Sequence, residues 1–197
     1  TYSRAWEYGF IYGGLSAFAY VHWIHENAIK DGVTKLLFTA RDGYIFKKIF
    51  DNIYNDIPSE YVYWSRSAAI RGGLNEDRSY RLSHFLSRRV DSGETINDAL
   101  DICKIKSFGR VFKQYQIDLD EKITSENIGQ LTEIVLENID EYDQAFQSQI
   151  EYTEKYLNSV VGNHKKIGIV DLGFSGKNTS VLKRHLQGLG LKRSDIS

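Results

Sequence analysis

The sequence is poor in everything that staples or anchors a chain. One cysteine, Cys103, in 197 residues leaves no intrachain disulfide and no thiolate metal cage. A formal net charge of −1 excludes the global basic field that drives non-specific binding to nucleic acid, so no nucleic-acid partner is expected. No window approaches the ~18 uninterrupted apolar residues of a membrane span, and no basic-then-apolar leader opens the chain. The reading is therefore a soluble, cytoplasmic chain. Proline occurs once, at Pro58, and methionine not at all. A start without Met that already reads as helix implies a piece of a longer polypeptide. What is present, 42% hydrophobic and 26% charged residues with 16 Gly, is the composition of a globular protein and argues against disordered or collagen-like classes. The length suits one domain, or two if the second is small.

Along the chain, the aromatic and aliphatic stretch from Trp6 to Ile29 predicts a buried or nearly buried helix that stops at Asp31-Gly32. Lys35 to Ala40 is a short apolar run bounded by turn residues, hence an interior strand. Arg41-Asp42-Gly43-Tyr44 makes a tight turn, a helix follows from Tyr44, and Tyr61 to Ser65 reads as a second strand after Pro58. This is a strand, helix, strand crossover. From Asp77 to about Gly162 helices dominate: Tyr80 to Arg89, Thr95 to Lys104, Ser107 to Gln116, then one long stripe or two successive helices from Glu126 to Val161. Between Asp118 and Glu154 there are eleven acids and one Lys, which reads as a solvated helix face. Lys166 to Val170 returns to strand, a helix runs from Thr179 to about Gln187, and a further parallel strand is due near the end. Charge reverses here, with seven Lys or Arg and one acid between Asn163 and Arg193.

The strongest chemical signal is Asp171-Leu172-Gly173-Phe174-Ser175-Gly176-Lys177-Asn178, between a strand and a helix. The glycines permit a turn whose amides point inward, the helix start supplies further N–H groups, and Ser175, Lys177, Asn178 and Thr179 add donors. Such a loop suits a phosphate, with Asp171 on sugar hydroxyls or a Mg²⁺ ion. It is neither a Walker loop nor a dinucleotide fingerprint, and a tight βα turn that happens to use glycine remains open as the plainer reading. Ala40 to Tyr44 occupies the same place after an earlier strand: Arg41 and Gly43 could hold a second phosphate, and Asp42 could bind metal or orient Arg41, the plainer reading being a surface Arg-Asp pair. Arg66, after Trp64-Ser65, could reach a polyanion; for Arg71, Arg88 and Arg89 a solvated role reads better. His22 and His25 read as structural, and His84, His164 and His185 have no visible nucleophile partner.

Phe38 to Tyr44, Tyr63-Trp64-Ser65-Arg66 and Ile169 to Gly176 together resemble the region that follows a haloacid dehalogenase-like phosphatase domain in large bacterial proteins of surface-polysaccharide (capsule and O-antigen) gene clusters. The resemblance runs from about Glu7 to Leu191. The phosphatase Asp-x-Asp motif is absent, so that activity does not carry over. More distantly, the blocks are similar to the two ligand loops of type I phosphoribosyltransferases, with Ala40 to Tyr44 in the place of the pyrophosphate loop and Asp171 with Gly173 to Asn178 in that of the ribose-phosphate loop. The usual acid pair is reduced to Asp171 followed by Leu172.

The residues predict an α/β fold with a small, mainly parallel sheet (1–76 and 163–197), phosphoribosyltransferase-like by the resemblance, and a large helical insertion (77–162) that sits over the sheet edge as a hood. It implies transfer of 5-phosphoribose from phosphoribosyl pyrophosphate to a glycan acceptor, with Mg²⁺ and with the phosphatase domain of the same polypeptide as neighbour. Membrane contact would come only through a lipid-linked acceptor. Asp171, Arg41 and Asp42 would be catalytic, and Gly43, Arg66, Gly173, Ser175, Gly176, Lys177 and Asn178 would bind substrate; no set of metal ligands can be named. The competing expectations are a non-catalytic module that positions a hydrolase or glycosyltransferase, and a pyrophosphate-sugar hydrolase.

Overall fold

The computed structural model describes residues 3–173 and 176–197. It is an α/β structure, mainly helical, with a three-stranded parallel sheet and a long all-helical insertion. Contacts divide it into two compact units, one formed by the chain up to Ser65 together with Leu157–Ser197, the other by Arg66–Tyr156. Among the described residues no helix is long and apolar enough to cross a membrane.

In the first unit β1 (Lys35–Thr39) is central, with β2 (Ser59–Val62) on one side and β3 (Ile167–Val170) on the other, all parallel. Leu37 lies opposite both Glu60 and Ile169. Leu36, Leu37 and Phe38 are all buried, as a strand covered on both faces requires. On the face of Leu36 and Phe38 lie Val21, Ile24 and Ala28 of α2 (Leu15–Asp31) and Phe50 of α3 (Gly43–Ile53). α2 stops where Gly32 turns left-handed at φ 66°, its amide returning to the carbonyls of Ala28 and Ile29. α3 begins where only glycine fits: a Cβ on Gly43 would stand 2.9 Å from the carbonyl carbon of Phe38. A right-handed crossover from β3 to the Ile196 bridge puts α10 (Lys177–Gly188), which buries Val181, Leu182, His185 and Leu186, on the other face. Ile196 pairs with Ile167 in parallel, so the two point to one side, and Ile196 shares a groove with Ser180 and Arg184 of α10. Of the further parallel strand expected near the end, the described residues show a single bridge at Ile196, with Ser197 N–H donating to the Ile167 carbonyl at 3.0 Å.

The first helical stretch corrects one expectation. α1 (Arg4–Tyr8), a π-helical stretch Gly9–Gly14 and α2 follow one another, but among the described residues none before Val21 is buried. Only the second half of α2 reaches the sheet, so the earlier aromatics stay in solvent.

The second unit comprises α4 (Arg66–Gly72), α5 (Arg78–Phe85), α6 (Ile96–Cys103), α7 (Gly109–Gln114), α8 (Ile128–Glu137) and most of α9 (Ile139–Val161). Its core is built on Phe85, Phe108, Phe112, Tyr142 and Phe146. The composition change falls near Asp77, but packing moves the boundary to Arg66, because Ile70 of α4 joins this core and Gly72 lies against Thr153 so closely that a Cβ would meet its hydroxyl. The second boundary falls inside α9, not at 162. The stripe from Glu126 to Val161 is two helices, parted at Asn138.

Candidate functional site

The carboxyl ends of β1 and β3 lie side by side, and their following segments leave in opposite directions: β1 feeds α3 on one face of the sheet, β3 feeds α10 on the other. In an open parallel sheet this divergence makes a crevice, the usual place for a ligand. Right-handed crossovers require the arrangement, since β2 and the Ile196 bridge lie on opposite sides of β1 and β3.

Asp171 stands in the crevice, partly buried. Thr39 at the end of β1 donates its hydroxyl to the Val170 carbonyl (3.1 Å) and to Asp171 Oδ1 (3.3 Å). The Gly173 amide also donates to Oδ1, at 3.1 Å, and Thr179 Oγ1 donates to Oδ2 at 2.5 Å. Thr39 has one hydroxyl proton to share between the carbonyl and the carboxylate, so Oδ1 is held by Gly173 and in part by Thr39, and Oδ2 keeps one acceptor position open. Tyr20 of α2 is near enough that Asp171 helps to raise its hydroxyl pKa, after burial, which contributes most. Tyr20 therefore stays protonated.

The rest of the loop is partly accounted for. Gly176 takes a left-handed φ of 61° at the N-terminus of α10, and its carbonyl accepts from the Ser180 amide at 2.8 Å and hydroxyl at 2.9 Å. Lys177 is exposed, and the Asn178 carbonyl accepts from the Trp64 indole at 2.9 Å, tying α10 to the segment after β2. Ser175 and Phe174 lie outside the described residues. The twelve-residue α10 directs its N-terminal amides and positive dipole end into this loop.

On the β1 side, the Ala40 amide donates to the Val62 carbonyl at 3.0 Å and the Tyr44 amide to the Arg41 carbonyl at 3.2 Å, closing the turn; the Ala40–Arg41 peptide is cis. The Arg41 side chain is 95% exposed, 3.7 Å from the Asp42 carboxylate, so its guanidinium is held by little and can turn to a ligand. Gly43 is buried, and its lack of a side chain is explained by its approach to Phe38. Arg66 opens α4 and belongs to the second unit.

The structure thus brings Asp171, Gly173, Gly176, Lys177 and Asn178 together on one loop, with the Arg41–Gly43 turn after the neighbouring strand. Sequence reading counted Thr179 as a donor for a ligand, whereas its hydroxyl is spent on Asp171. Thr39 and Tyr20 look in the sequence like ordinary strand and helix residues; the register of β1 against β3 gives Thr39 its role, and the packing of α2 on the sheet gives Tyr20 its own. Among the described residues no group of three or more His, Cys, Asp or Glu could cage a metal. The one open acceptor position on Asp171 can serve a single partner, either a sugar hydroxyl or a Mg²⁺ ion that brings most of its own ligands as water and substrate phosphate.

The histidines keep structural roles. His25 pairs with Asp56 at 2.8 Å and stacks on Tyr54 with ring centroids 3.7 Å apart. His22 shares a 2.6 Å hydrogen bond with Tyr54, and His185 is buried edge-on against Trp64.

Comparison of the chain with family models, with curated proteins and with solved structures returns no match.

Proposed function

We propose that this chain is a pentosyltransferase of the phosphoribosyltransferase type, carrying 5-phosphoribose from phosphoribosyl pyrophosphate to a hydroxyl of a glycan acceptor. It would do so within a larger surface-polysaccharide protein that also carries a phosphatase domain. The observation that supports this most is the crevice between β1 and β3, with an amide-rich loop and helix N-terminus on one side and a turn with a free-standing Arg on the other. A ligand with phosphates at both ends matches that disposition.

In this reading the loop from Gly173 to Asn178 and the first turn of α10 hold the 5-phosphate, and Arg41 holds the diphosphate by charge-assisted hydrogen bonds. Asp171 offers the last acceptor position of Oδ2 to a ribose hydroxyl. It thereby fixes the sugar and offsets the positive charge that grows at the anomeric carbon. The reaction exchanges one anomeric C–O bond for another and releases diphosphate and the acceptor's proton. Mg²⁺, bound with the diphosphate, supplies neutralisation of the leaving group.

A second reading is favoured by one observation. Three internal hydrogen bonds to Asp171 are enough to explain it as a brace for the loop, as in a module that only positions a neighbouring enzyme. Calorimetry with phosphoribosyl pyrophosphate separates the two. The transferase reading expects Mg²⁺-dependent binding that weakens roughly 10- to 100-fold in Arg41→Ala, the worth of a hydrogen bond to a charged group. Arg41 is exposed enough that its removal leaves the fold alone. Wild-type protein that takes up no donor with Mg²⁺ present sinks the transferase and leaves the positioning module.

A further inference from the structure

The crevice offers places for the two phosphate ends of a donor and none for an acceptor. A second depression meets it at Asp171: a shallow trough of about 250 Å³ between α2 and the outer edge of β3. Tyr20, Trp23, Asn27 and Asp31 line its helical wall, at steps of three or four residues, so that one face of α2 presents them together. Tyr20 lies at the Asp171 end. Asp31 lies towards the start of β3, where the Thr34 amide donates to the Lys166 carbonyl at 2.8 Å. The eleven residues of helix between them span ~16 Å, so the trough is long and slender. All these residues belong to the sheet-bearing unit.

The chemistry of the lining narrows what can lie there. Trp23 stacks on Tyr20 with ring centroids 5.9 Å apart and is still 57% exposed, so the indole is anchored on one side and open on the other. Among the described residues nothing bonds to the Tyr20 hydroxyl or the Trp23 indole N–H. Asn27 donates its amide to the Trp23 carbonyl at 2.7 Å and keeps its own side-chain oxygen as an acceptor. Two carboxylates, Asp31 and Asp171, line the trough, and no Lys or Arg does. An anionic ligand would be repelled. An apolar strand added beside β3 would seal both carboxylates away from water without a partner, which is costly. A neutral sugar has what the lining asks for: an apolar C–H face for an aromatic ring, and hydroxyls around its rim for the phenol, the amide and the carboxylates.

We propose that the trough holds the acceptor as a neutral sugar, with a ring stacked on Trp23, hydroxyls bonded by Tyr20, Asn27 and Asp31, and the reacting hydroxyl at the Asp171 end. That the sugar is the acceptor rests on the transferase reading; that the trough takes a neutral sugar does not. The division of charge supports it. The amide-rich start of α10 and Lys177 suit phosphates, whereas the α2 side has carboxylates alone, so each ligand is disfavoured in the other's place. Asp171 keeps its single open position for the donor's ribose, and the acceptor is brought to it by the wall of α2.

Nuclear magnetic resonance of the three tryptophan indole N–H groups tests it, the Trp23 signal being assigned with Trp23→Phe. The probes are the methyl glycosides of glucose, galactose and mannose, the corresponding hexuronates, and a short peptide of alternating Val and Thr. The expected result is a saturable shift of the Trp23 signal, and not of the other two, with at least one neutral glycoside. Its hexuronate should bind roughly tenfold more weakly, as a like charge beside Asp31 requires, and Asp31→Lys should close that gap. Trp23→Ala, at an exposed position, should raise the dissociation constant read from the α2 amides roughly tenfold, the worth of a stacked ring. No shift with any neutral glycoside overturns the proposal, as does a hexuronate that binds as tightly. A shift with the peptide alone overturns it in favour of an added strand. Calorimetry with phosphoribosyl pyrophosphate and Mg²⁺ on the same protein keeps the two readings apart. Donor bound with the trough silent strikes the trough alone; sugar bound without donor strikes the transferase and leaves the sugar site standing.

Discussion

Arg81 shows how far a single residue can depart from its sequence-level reading. Among the arginines between Tyr61 and Val90 it looks like another solvated cation, yet it is 0% exposed. Its guanidinium donates to Asp143 at 2.8 Å and to the carbonyls of Gly73 and Leu74, and lies 4.8 Å over the ring of Phe146. Arg78 binds the other oxygen of Asp143, and that carboxylate holds the Arg78 pKa above its usual range. Removing one member of a buried pair leaves the other charge uncompensated, which costs ~3–5 kcal/mol. Asp143→Ala should therefore lower stability by about that amount in urea titrations, and Asp143→Asn, which keeps an acceptor, by less. A loss under ~1 kcal/mol would mean that the two carbonyls and the ring satisfy Arg81 alone. Asp171 is the opposite case. Its place at a strand end was legible, because an apolar run followed by an acid and glycines has few other readings. What the sequence could not show was the spending of its lone pairs on Thr39 and Thr179, since those hydroxyls arrive only through the register of β1 on β3.

At the scale of elements, the strands and most helices were legible from apolar spacing and from start and stop signals such as the Thr95 cap of α6 and Gly32 after α2. Burial of the first helical stretch was not, because an all-apolar face reads alike whether its partner lies in the same chain or elsewhere. α2 itself is fixed near its middle by side chains from the segment before β2: His25 holds Asp56, and His22 meets the hydroxyl of Tyr54. The hydrogen bond from His25 holds the Asp56 carboxyl below its ordinary value of 3.8. A carboxyl whose pKa is lower folded than unfolded contributes stability above the unfolded value and loses it as pH falls through the folded one. The pin should therefore be at full strength on its carboxylate side above pH ~4 and fade below it. Thermal midpoints followed downwards from neutral pH should fall more steeply below that point in wild type than in Asp56→Asn. Identical slopes in the two proteins would show that Asp56 contributes nothing to the acid limb.

For the molecule as a whole, the change from strand-bearing to purely helical sequence told of two parts, and the packing gives each its own apolar set: Val21, Phe38 and Phe50 around the sheet, and Phe85, Phe112 and Tyr142 in the helical unit. The boundary escaped the sequence because Arg66–Gly72 follows the second strand directly and carries few apolar residues; the burial of Ile70 and the close approach of Gly72 to Thr153 assign it. Separate apolar sets imply that a cavity in one is felt first by the helices or strands that line it. Phe112→Ala removes a fully buried ring that touches Phe85 and Phe108, and should cost ~3–5 kcal/mol. Native-state hydrogen exchange locates that cost. The amides of α5 and α7 should lose protection by the full amount, while those of Leu37 and Phe38 in β1 should keep theirs. Equal loss in both places would show that the two apolar sets open together, and that the long insertion is a working part of the sheet's own stability.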